Sequence, residues 1–600
     1  MDSDYDSYSE RETLSKKLSK TRSVRHLSWL EELLVRFSPG ERLALYVCAA
    51  LLSISAFVLL AHVNSAVSVL VPASGGELIE GEVGPVRFVN PVITLSQADD
   101  DLSDLVYSGL TRALPDGSIA SDIASSYKIS EDGTTYTFAL RPDATFHDGT
   151  PLTSADVMFT VQTAQNAAIK SPRRADWEGV VVSAPDSHTV VFKLPHAYAP
   201  FIENTTMGIL PKHLWATVSP EEFPFSPLNT HPVGSGAYRV SNVTTDSTGS
   251  ITRYELTPFS KFTLGKPYLG KITMRFYAND DAVLKALNAH EVDAVAGIAP
   301  ASIASITRGD VTVMHSPLPR VFGVFYNQSH STVLADASVR AALEAAVNQK
   351  SIVHSVLDDY GAPLDGPIPP GFTSTNDGTS TPVTTETATS TLSDKAHAIL
   401  QHGGWSLSTS TNVWTKKNGK SGSLTLSFTL ATADEPELVA TANQVASEWK
   451  AAGINVDVHV YSLSDLNSTI LRPRQYDAIL FGEVVGRALD LFAFWHSSQR
   501  NDPGLNLSLY TNSKADSLLS QARADSDAKD RAKLYDSFAK IIETDRPALF
   551  LYSPEFIYVV PSSLHGIALG ALTTPGERFL NVYQWYTDTE EVWSIFSNNQ

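Results

Sequence analysis

The chain has 600 residues, a net charge of −20, 43% hydrophobic and 18% charged residues, and one cysteine. That length needs more than one hydrophobic core. The acidic balance argues against a nucleic-acid binder, which needs a basic face, and a lone cysteine excludes both a disulfide framework and a multi-cysteine zinc site.

Residues 1–42 are polar and of mixed charge, with Lys16, Lys17, Lys20, Arg22 and Arg25 clustered, which predicts a disordered or weakly helical cytoplasmic tail. Residues 43–63 form an uncharged apolar run, and a membrane span takes about 20 such residues. Arg36 and Arg42 precede the run and the next Lys or Arg is Arg87. The positive-inside rule therefore predicts a single-pass protein of the cell membrane, with its N-terminus cytoplasmic and everything after the span extracytoplasmic. A cleaved signal peptide is the competing reading; the length of the run and of the segment before it favours a retained anchor. Cys48 lies within the run behind Val47, where a lipidation motif wants Gly or Ala, and is expected to face the membrane.

Asp101-Leu-Ser-Asp-Leu-Val-Tyr-Ser-Gly-Leu110 predicts an amphipathic helix closed by Gly109. Residues 127–164 predict a hairpin, a turn and a capped helix. Asp132-Gly133 is a turn signal, Tyr136, Phe138 and Leu140 alternate as a half-buried strand, and His147-Asp148-Gly149 turns the chain again. Thr153 then caps a helix with Asp156 at its third position and Val157, Val161 and Ala164 on one face. Pro232-Val-Gly-Ser-Gly-Ala-Tyr-Arg239 lacks the Lys-Ser/Thr of a phosphate loop and is expected to start a strand. Val283, Leu284 and Leu287 mark a helix face, as do Val339, Leu343, Ala346 and Val347, the second behind a capping Asp336; Arg340 is expected at the surface or in an ion pair. The Thr/Ser tract over 373–394 predicts an exposed loop.

Residues 424–490 carry the clearest fold signal. Leu424, Leu426, Phe428 and Leu430 alternate; Leu438, Ala442, Val445 and Trp449 mark a helix ended by Gly453; Ile454, Val456, Val458 and Val460 alternate again; residues 476–481 are a third apolar run. Strand, helix-length crossover and strand is a βαβ unit with parallel pairing. Ligands of such sheets bind beyond the C-terminal strand ends, which here points to the loop after Phe481.

The phrase F-A-L-R-P-D-A-T-F-H-D-G-T-P-L-T-S-A-D-V-M-F-T within 127–164 resembles the signature of the extracellular solute-binding proteins that feed peptide-type ABC importers, the oligopeptide, dipeptide and nickel binding group. Similar matches recur at the turn ending in Tyr107-Ser108-Gly109, at 232–238, at Phe325-Tyr-Asn327, at 336–343 and at 546–552, so the resemblance runs from about 78 to 587. It implies an α/β, two-lobed periplasmic-binding-protein-like fold with an extra subdomain and a hinge, preceded here by one transmembrane helix. Implied boundaries are 1–42 tail, 43–63 anchor, 78–321 lobe I with an inserted subdomain at about 116–235, 322–548 lobe II, and 549–587 returning to lobe I. The connecting strands are expected near Pro319–Phe322 and Leu549–Ser553.

By the same resemblance the ligand is a peptide or similar small solute enclosed between the lobes, and the partners are ABC permease subunits in the membrane; the binding protein is expected to be a monomer without metal or organic cofactor. Tyr107 and Ser108 are candidates because that turn approaches the ligand in relatives. Relatives follow the strand matching 478–481 with Gly-Trp and, three residues on, an Asp that holds the peptide ammonium, since a buried cation needs an anionic partner. This chain reads Gly482-Glu483-Val484-Val485-Gly486-Arg487, with Glu483 at the Trp position and Gly486, or Arg487 after a slip of one, at the Asp position. Glu483 could replace the clamp, Arg487 could receive a carboxylate, or both could be rim charges bonding each other or water. Arg472 and Arg474 fall near basic ligand contacts of relatives, and Trp495 could line the cleft or sit in the core. No G-x-S-x-G, H-E-x-x-H, C-x-x-C or P-loop occurs, so an enzyme is not expected. An anchored sensor or scaffold that keeps the fold without transport is the alternative.

Overall fold

The computed structural model describes residues 36–371, 389–408, 412–417 and 422–595, so the tail over 1–35 and the Thr/Ser tract from 373 to 388 lie outside the described residues. Two compact units are present, one of the N-terminal segment up to Pro72 with residues from Thr589 on, the other Ala73–Asp588.

In the first unit, α1 (Pro39–Val67) begins on Pro39, whose fixed φ suits a first helical position, and Ser38 N–H donates to the Glu41 carboxylate at 2.8 Å. Pro39–Asn64 is long and apolar enough to cross a membrane, and no residue of that stretch is buried. The helix overruns the predicted 43–63 by four residues at each end. β1 (Ser68–Pro72) follows and pairs antiparallel with Thr589–Trp593.

In the second unit, β2 (Gly75–Val83) leads to α2 (Gln97–Val106) and then to a separate antiparallel sheet. That sheet holds β3 (Ala124–Ile129), β4 (Thr135–Leu140), β5 (Val181–Asp186) and β6 (Thr189–Lys193) in the order β3-β4-β6-β5, with α3 (Ser154–Gln165) between β4 and β5 in the chain. A large mixed sheet takes up β7 (Tyr238–Thr245), β8 (Ile251–Pro258) and β9 (Leu269–Tyr277), then, after α4 (Asp280–Asn288), β10 (Ala294–Ala296), β11 (Val311–Pro317) and β12 (Arg320–Tyr326). Helices α5 (Ala337–Ala345), α6 (Gln349–Leu357) and α7 (Thr389–His402) precede β13 (Ser427–Ala433), α8 (Pro436–Ala451), β14 (Asn455–Tyr461) and β15 (Ala478–Val484). After α9 (Ser513–Ala524) and α10 (Ala528–Asp545) comes the 14-residue β16 (Ala548–Pro561). Across the sheet the order is β14-β13-β15-β12-β16-β10-β2-β9-β8-β7, with β11 also on β16.

Local chemistry accounts for these elements. Gly133 takes φ +67° in the hairpin turn, Asp132 accepts the Thr134 N–H at 3.0 Å, and Tyr136, Phe138 and Leu140 of β4 are buried. Thr153 N–H donates to Asp156 at 2.9 Å at the start of α3, whose Val157, Val161 and Ala164 are buried. His147 clips this turn to the glycine loop before β7: Gly234 N–H donates to Nδ1 at 3.3 Å and Nε2 lies 3.1 Å from Gly236 O. Burial lowers its pKa to about 4, so the ring is neutral. β13, α8 and β14 form the βαβ unit with parallel pairing, and β13 is also parallel to β15.

Three expectations change. α2 ends at Val106 with an extended Tyr107 as its cap, so Gly109 does not close it. The end of the Thr/Ser tract, residues 389–394, begins α7 rather than finishing a loop, because Ala396 and Leu400 supply a buried helix face a turn further on. Arg340 is neither at the surface nor ion-paired: its guanidinium donates to the carbonyls of Leu334, Ala335, Asp545 and Arg546, joining the loop before α5 to the end of α10.

The hydrophobic interior divides into two main clusters, one of residues 321–552, the other of residues 78–318 with 556–585. The chain crosses between them twice, at Leu318-Pro319 and within β16, which pairs with β12 over Ala548–Tyr552 and with β11 over Glu555–Pro561. The fold is two-lobed, and the discontinuous lobe is completed by the C-terminal segment. One fully buried group fastens it: Arg578 Nη2 meets Glu80 at 2.7 Å, Asp101 at 2.6 Å and Glu82 at 3.4 Å. Tyr558 O–H also donates to Glu80 at 2.7 Å. Burial and the neighbouring Asp101 push the Glu82 carboxyl far up.

Candidate functional site

Between the lobes lies a cavity of about 520 Å³. Its first wall is the open face of α2. Ser96 accepts the Asp99 N–H at 3.2 Å to cap this helix, and Asp101, Leu102, Leu105 and Val106 turn inward. That leaves Asp100, Ser103, Asp104 and Tyr107, at i, i+3, i+4 and i+7, along the cavity. Arg173 and Asp176 come from the turn after α3, Glu203 from the short helix Phe201–Asn204 after β6, and Thr573, Thr574 and Glu577 from the C-terminal segment. The opposite lobe contributes Val484, Gly486 and Arg487 at and beyond the end of β15.

Five carboxylates, Asp100, Asp104, Asp176, Glu203 and Glu577, thus face two guanidinium groups, Arg173 and Arg487. Arg487 is already committed: Nη2 donates to Glu577 at 2.7 Å and Nη1 to Ala571 O at 3.0 Å, with its side chain 6% exposed. Lack of hydration raises the carboxyls of Asp100 and Asp176. It also raises Asp104, which is deep in the molecule but open to the cavity, with further repulsion from Asp100, Asp101 and Glu577. Glu203 is pushed up to about 7 by burial, against the pull of Arg487. A surplus of carboxyl groups over guanidinium groups, five against two, is the electrostatic signature of this cavity.

The lobes also touch outside its lining. Tyr198 O–H donates to Asp490 at 3.2 Å, Ala199 N–H donates to Arg523 O at 3.0 Å, and the Arg523 guanidinium lies 5.1 Å over the Tyr198 ring while holding Asp490 of its own lobe at 2.7 Å. Together with Arg487–Glu577, these contacts hold a closed arrangement.

The structure places the predicted residues in three surroundings. Tyr107, Gly486 and Arg487 line the interlobe cavity, although the Tyr107 hydroxyl is buried without a partner and the Arg487 guanidinium is paired within the protein. Ser108 is turned away: the extended backbone at Tyr107 sends it to a smaller cavity of about 120 Å³ beside Asp122. Glu483 does not reach the interlobe cavity, because successive strand residues face opposite sides. Val484 borders that cavity, while Glu483 lines a second one of about 460 Å³ with Phe481 and Arg472. Glu483 and Arg487 therefore do not bond each other. Arg472 stands at the mouth of the second cavity, 3.9 Å from Asp502. Arg474 donates to the carbonyls of Arg500 and Gly504. Trp495 is a core residue, 1% exposed and packed near Phe325, Phe538 and Phe550.

Sequence reasoning missed the acids. Asp100 and Asp104 carried a signal, the i, i+4 spacing shared with Tyr107 on a helix already recognised. Glu203 had none, yet it lies beside Gly486: a Cβ there would be in van der Waals contact, 3.4 Å from its Oε2. Among the described residues, no group of three or more His, Cys, Asp or Glu is arranged to hold a metal ion.

Residues 118–504 match the family model described as bacterial extracellular solute-binding proteins, family 5 Middle. The oligopeptide-binding protein AppA of Bacillus subtilis is 26% identical over 521 residues, 86% of this chain and 92% of the relative. The structure of the oligopeptide-binding protein AppA from Bacillus subtilis in complex with a nonapeptide superposes with a TM-score of 0.65 at 25% identity, covering 86% of this chain and 99% of that one. The ABC transporter substrate binding protein CtaP of Listeria monocytogenes shares the fold with a TM-score of 0.71 at 24% identity, covering 86% and 100%.

Proposed function

We propose, since the chain belongs to the family 5 bacterial extracellular solute-binding proteins, that it captures a peptide or similar amine-bearing solute between its lobes and delivers it to ABC permease subunits. The surplus of acids in the interlobe cavity carries this reading, because a bound ammonium or guanidinium would supply the positive charge that two arginines against five carboxyl groups do not. Glu203 takes the part of the ammonium clamp: from the opposite lobe it lies beside Gly486, the position that matches the clamp Asp of relatives. In this reading α1 holds the protein in the cell membrane with residues 1–42 cytoplasmic and the lobes outside. Lobe I comprises 78–321 with the subdomain 116–235 and the return 549–587, and lobe II is 322–548. Closure about the two crossing strands reports occupancy.

The test is thermal unfolding of the full chain in detergent against di- to octapeptides of differing charge. A ligand that binds only the folded state raises the midpoint with its occupancy. Free-amine, cationic peptides should raise it, N-acetylated acidic ones should not, and Glu203→Gln should weaken free-amine peptides about tenfold, some 1.4 kcal/mol. Affinity should fall as pH drops below about 7, where Glu203 takes up its proton. If no peptide of any charge shifts the midpoint, the anchored sensor or scaffold replaces this reading.

A further inference from the structure

The chain leaves α1 for β1 without a linker: α1 ends at Val67 and β1 begins at Ser68, in a stretch, 63–76, that carries no charge. The C-terminal strand β17 (Thr589–Trp593) returns to this place, with Trp593 opposite Ser68. The Trp593 indole N–H donates to the Asn64 side-chain oxygen at 2.8 Å, and Ser594 N–H donates to Val67 O at 2.8 Å. The last turn of α1 is thus clasped by the C-terminal strand. Among the described residues no third strand joins β1 and β17, and none of the residues of these two strands is buried. A two-stranded ribbon alone in water is marginally stable at best. Yet this one ends on Trp593, 51% exposed, and just past it Ile595, 70% exposed. Such an apolar end calls for a second surface.

We propose that this end of the ribbon is a second lipid contact, in which Trp593 and Ile595 sit in the headgroup layer of the outer leaflet beside α1 and make the C-terminal segment part of the anchor. The proposal rests on the reading of α1 as the membrane span. Depth argues for it. The hydrocarbon core takes about 20 helical residues, which the uncharged run 43–63 supplies, so Asn64 and Val67 emerge at headgroup level. Trp593, bonded to Asn64, is held at that depth, where an indole is favoured because its ring is apolar and its N–H is not. Direction agrees. β1 leaves the span and β17, antiparallel to it, comes back, so Glu590 and Glu591 are met first, opposite Val71 and Leu70, and the apolar Trp593 and Ile595 last. No Lys or Arg lies within 588–600, so the attraction is apolar and does not need anionic lipid. Two paired strands rather than one then connect the span to the lobes.

The experiment puts an environment-sensitive nitrobenzoxadiazole dye on the full chain in phosphatidylcholine vesicles and quenches it with nitroxide lipids. In the native chain the dye goes on Cys48, the lone cysteine. A nitroxide deep in the acyl chain should quench it best, which checks the anchor separately. In Cys48→Ser/Ile595→Cys the emission should lie to the blue of that in Cys48→Ser/Glu590→Cys, and a headgroup nitroxide should quench the first more strongly than the second. Adding Trp593→Ser to the first should return its dye to water, with loss of the shift and of the quenching. If the dye at 595 behaves like the one at 590 while Cys48 is quenched from within the bilayer, the proposal is overturned, the anchor stands, and a permease subunit becomes the cover of the ribbon. A dye at 595 that Trp593→Ser leaves unchanged overturns the proposal as well. A dye on Cys48 that no nitroxide lipid reaches overturns both the proposal and the anchor.

Discussion

Arg578 and Arg487 are both arginines almost shut off from water, and they do opposite things. Arg578 sits inside one lobe with three carboxylates and its neighbours are all fixed parts of that lobe's core. Arg487 comes from the other lobe and reaches over to Glu577, so its pair exists only while the lobes are together. Burial of a charge alone therefore does not tell a permanent fastening from a reversible one; what decides is whether the partners belong to the same rigid body.

Removing each arginine should break the comparison open. Arg578→Met strands three buried acids and should cost about 3–5 kcal/mol in denaturant unfolding; a loss below about 1 kcal/mol would mean the acids are simply protonated in the fold. Arg487→Met should cost less than half of that, and should raise the open fraction seen by distance measurements between labels on the two lobes. Equal losses for the two variants would make Arg487 a fastening too.

Glu203→Gln sharpens the difference through pH. A carboxyl raised to about 7 binds a proton in the folded state that the unfolded chain, near 4.3, releases. Its stabilising contribution is present at low pH and lost as pH rises through about 7. The variant should therefore melt higher than the native chain at pH 8 and alike at pH 4, and a lower midpoint at pH 8 would sink the assignment. The smallest effect belongs to Tyr198→Phe, which removes one hydrogen bond to Asp490 between the lobes and should cost about 0.5–1 kcal/mol in unfolding. A larger loss would show that this contact is more than a latch.

The elements legible from the sequence are those with a single buried face. The hairpin before α3, the helix behind Thr153 and the βαβ unit each repeat at one period, and the family phrase fell on the same residues. β15 defeated such reading: Ile479, Leu480 and Phe481 are apolar on both sides, so nothing in the pattern says whether Glu483 or Val484 faces the interlobe cavity. Arg340 misled for another reason, since four backbone carbonyls leave no mark in a sequence. The wall of the cavity joins Asp104, Glu203, Arg487 and Glu577, which no local spacing could have brought together.

The distance in the chain between the members of the Arg578 cluster has a consequence for how the protein is made. Glu80 and Arg578 are 498 residues apart, with all of lobe II between them. While the chain emerges in order, lobe II has every residue of its core available well before Arg578 exists. Glu80, Glu82 and Asp101 must until then stay hydrated and the first lobe incomplete, so the order of synthesis alone makes the contiguous lobe the one that can mature first.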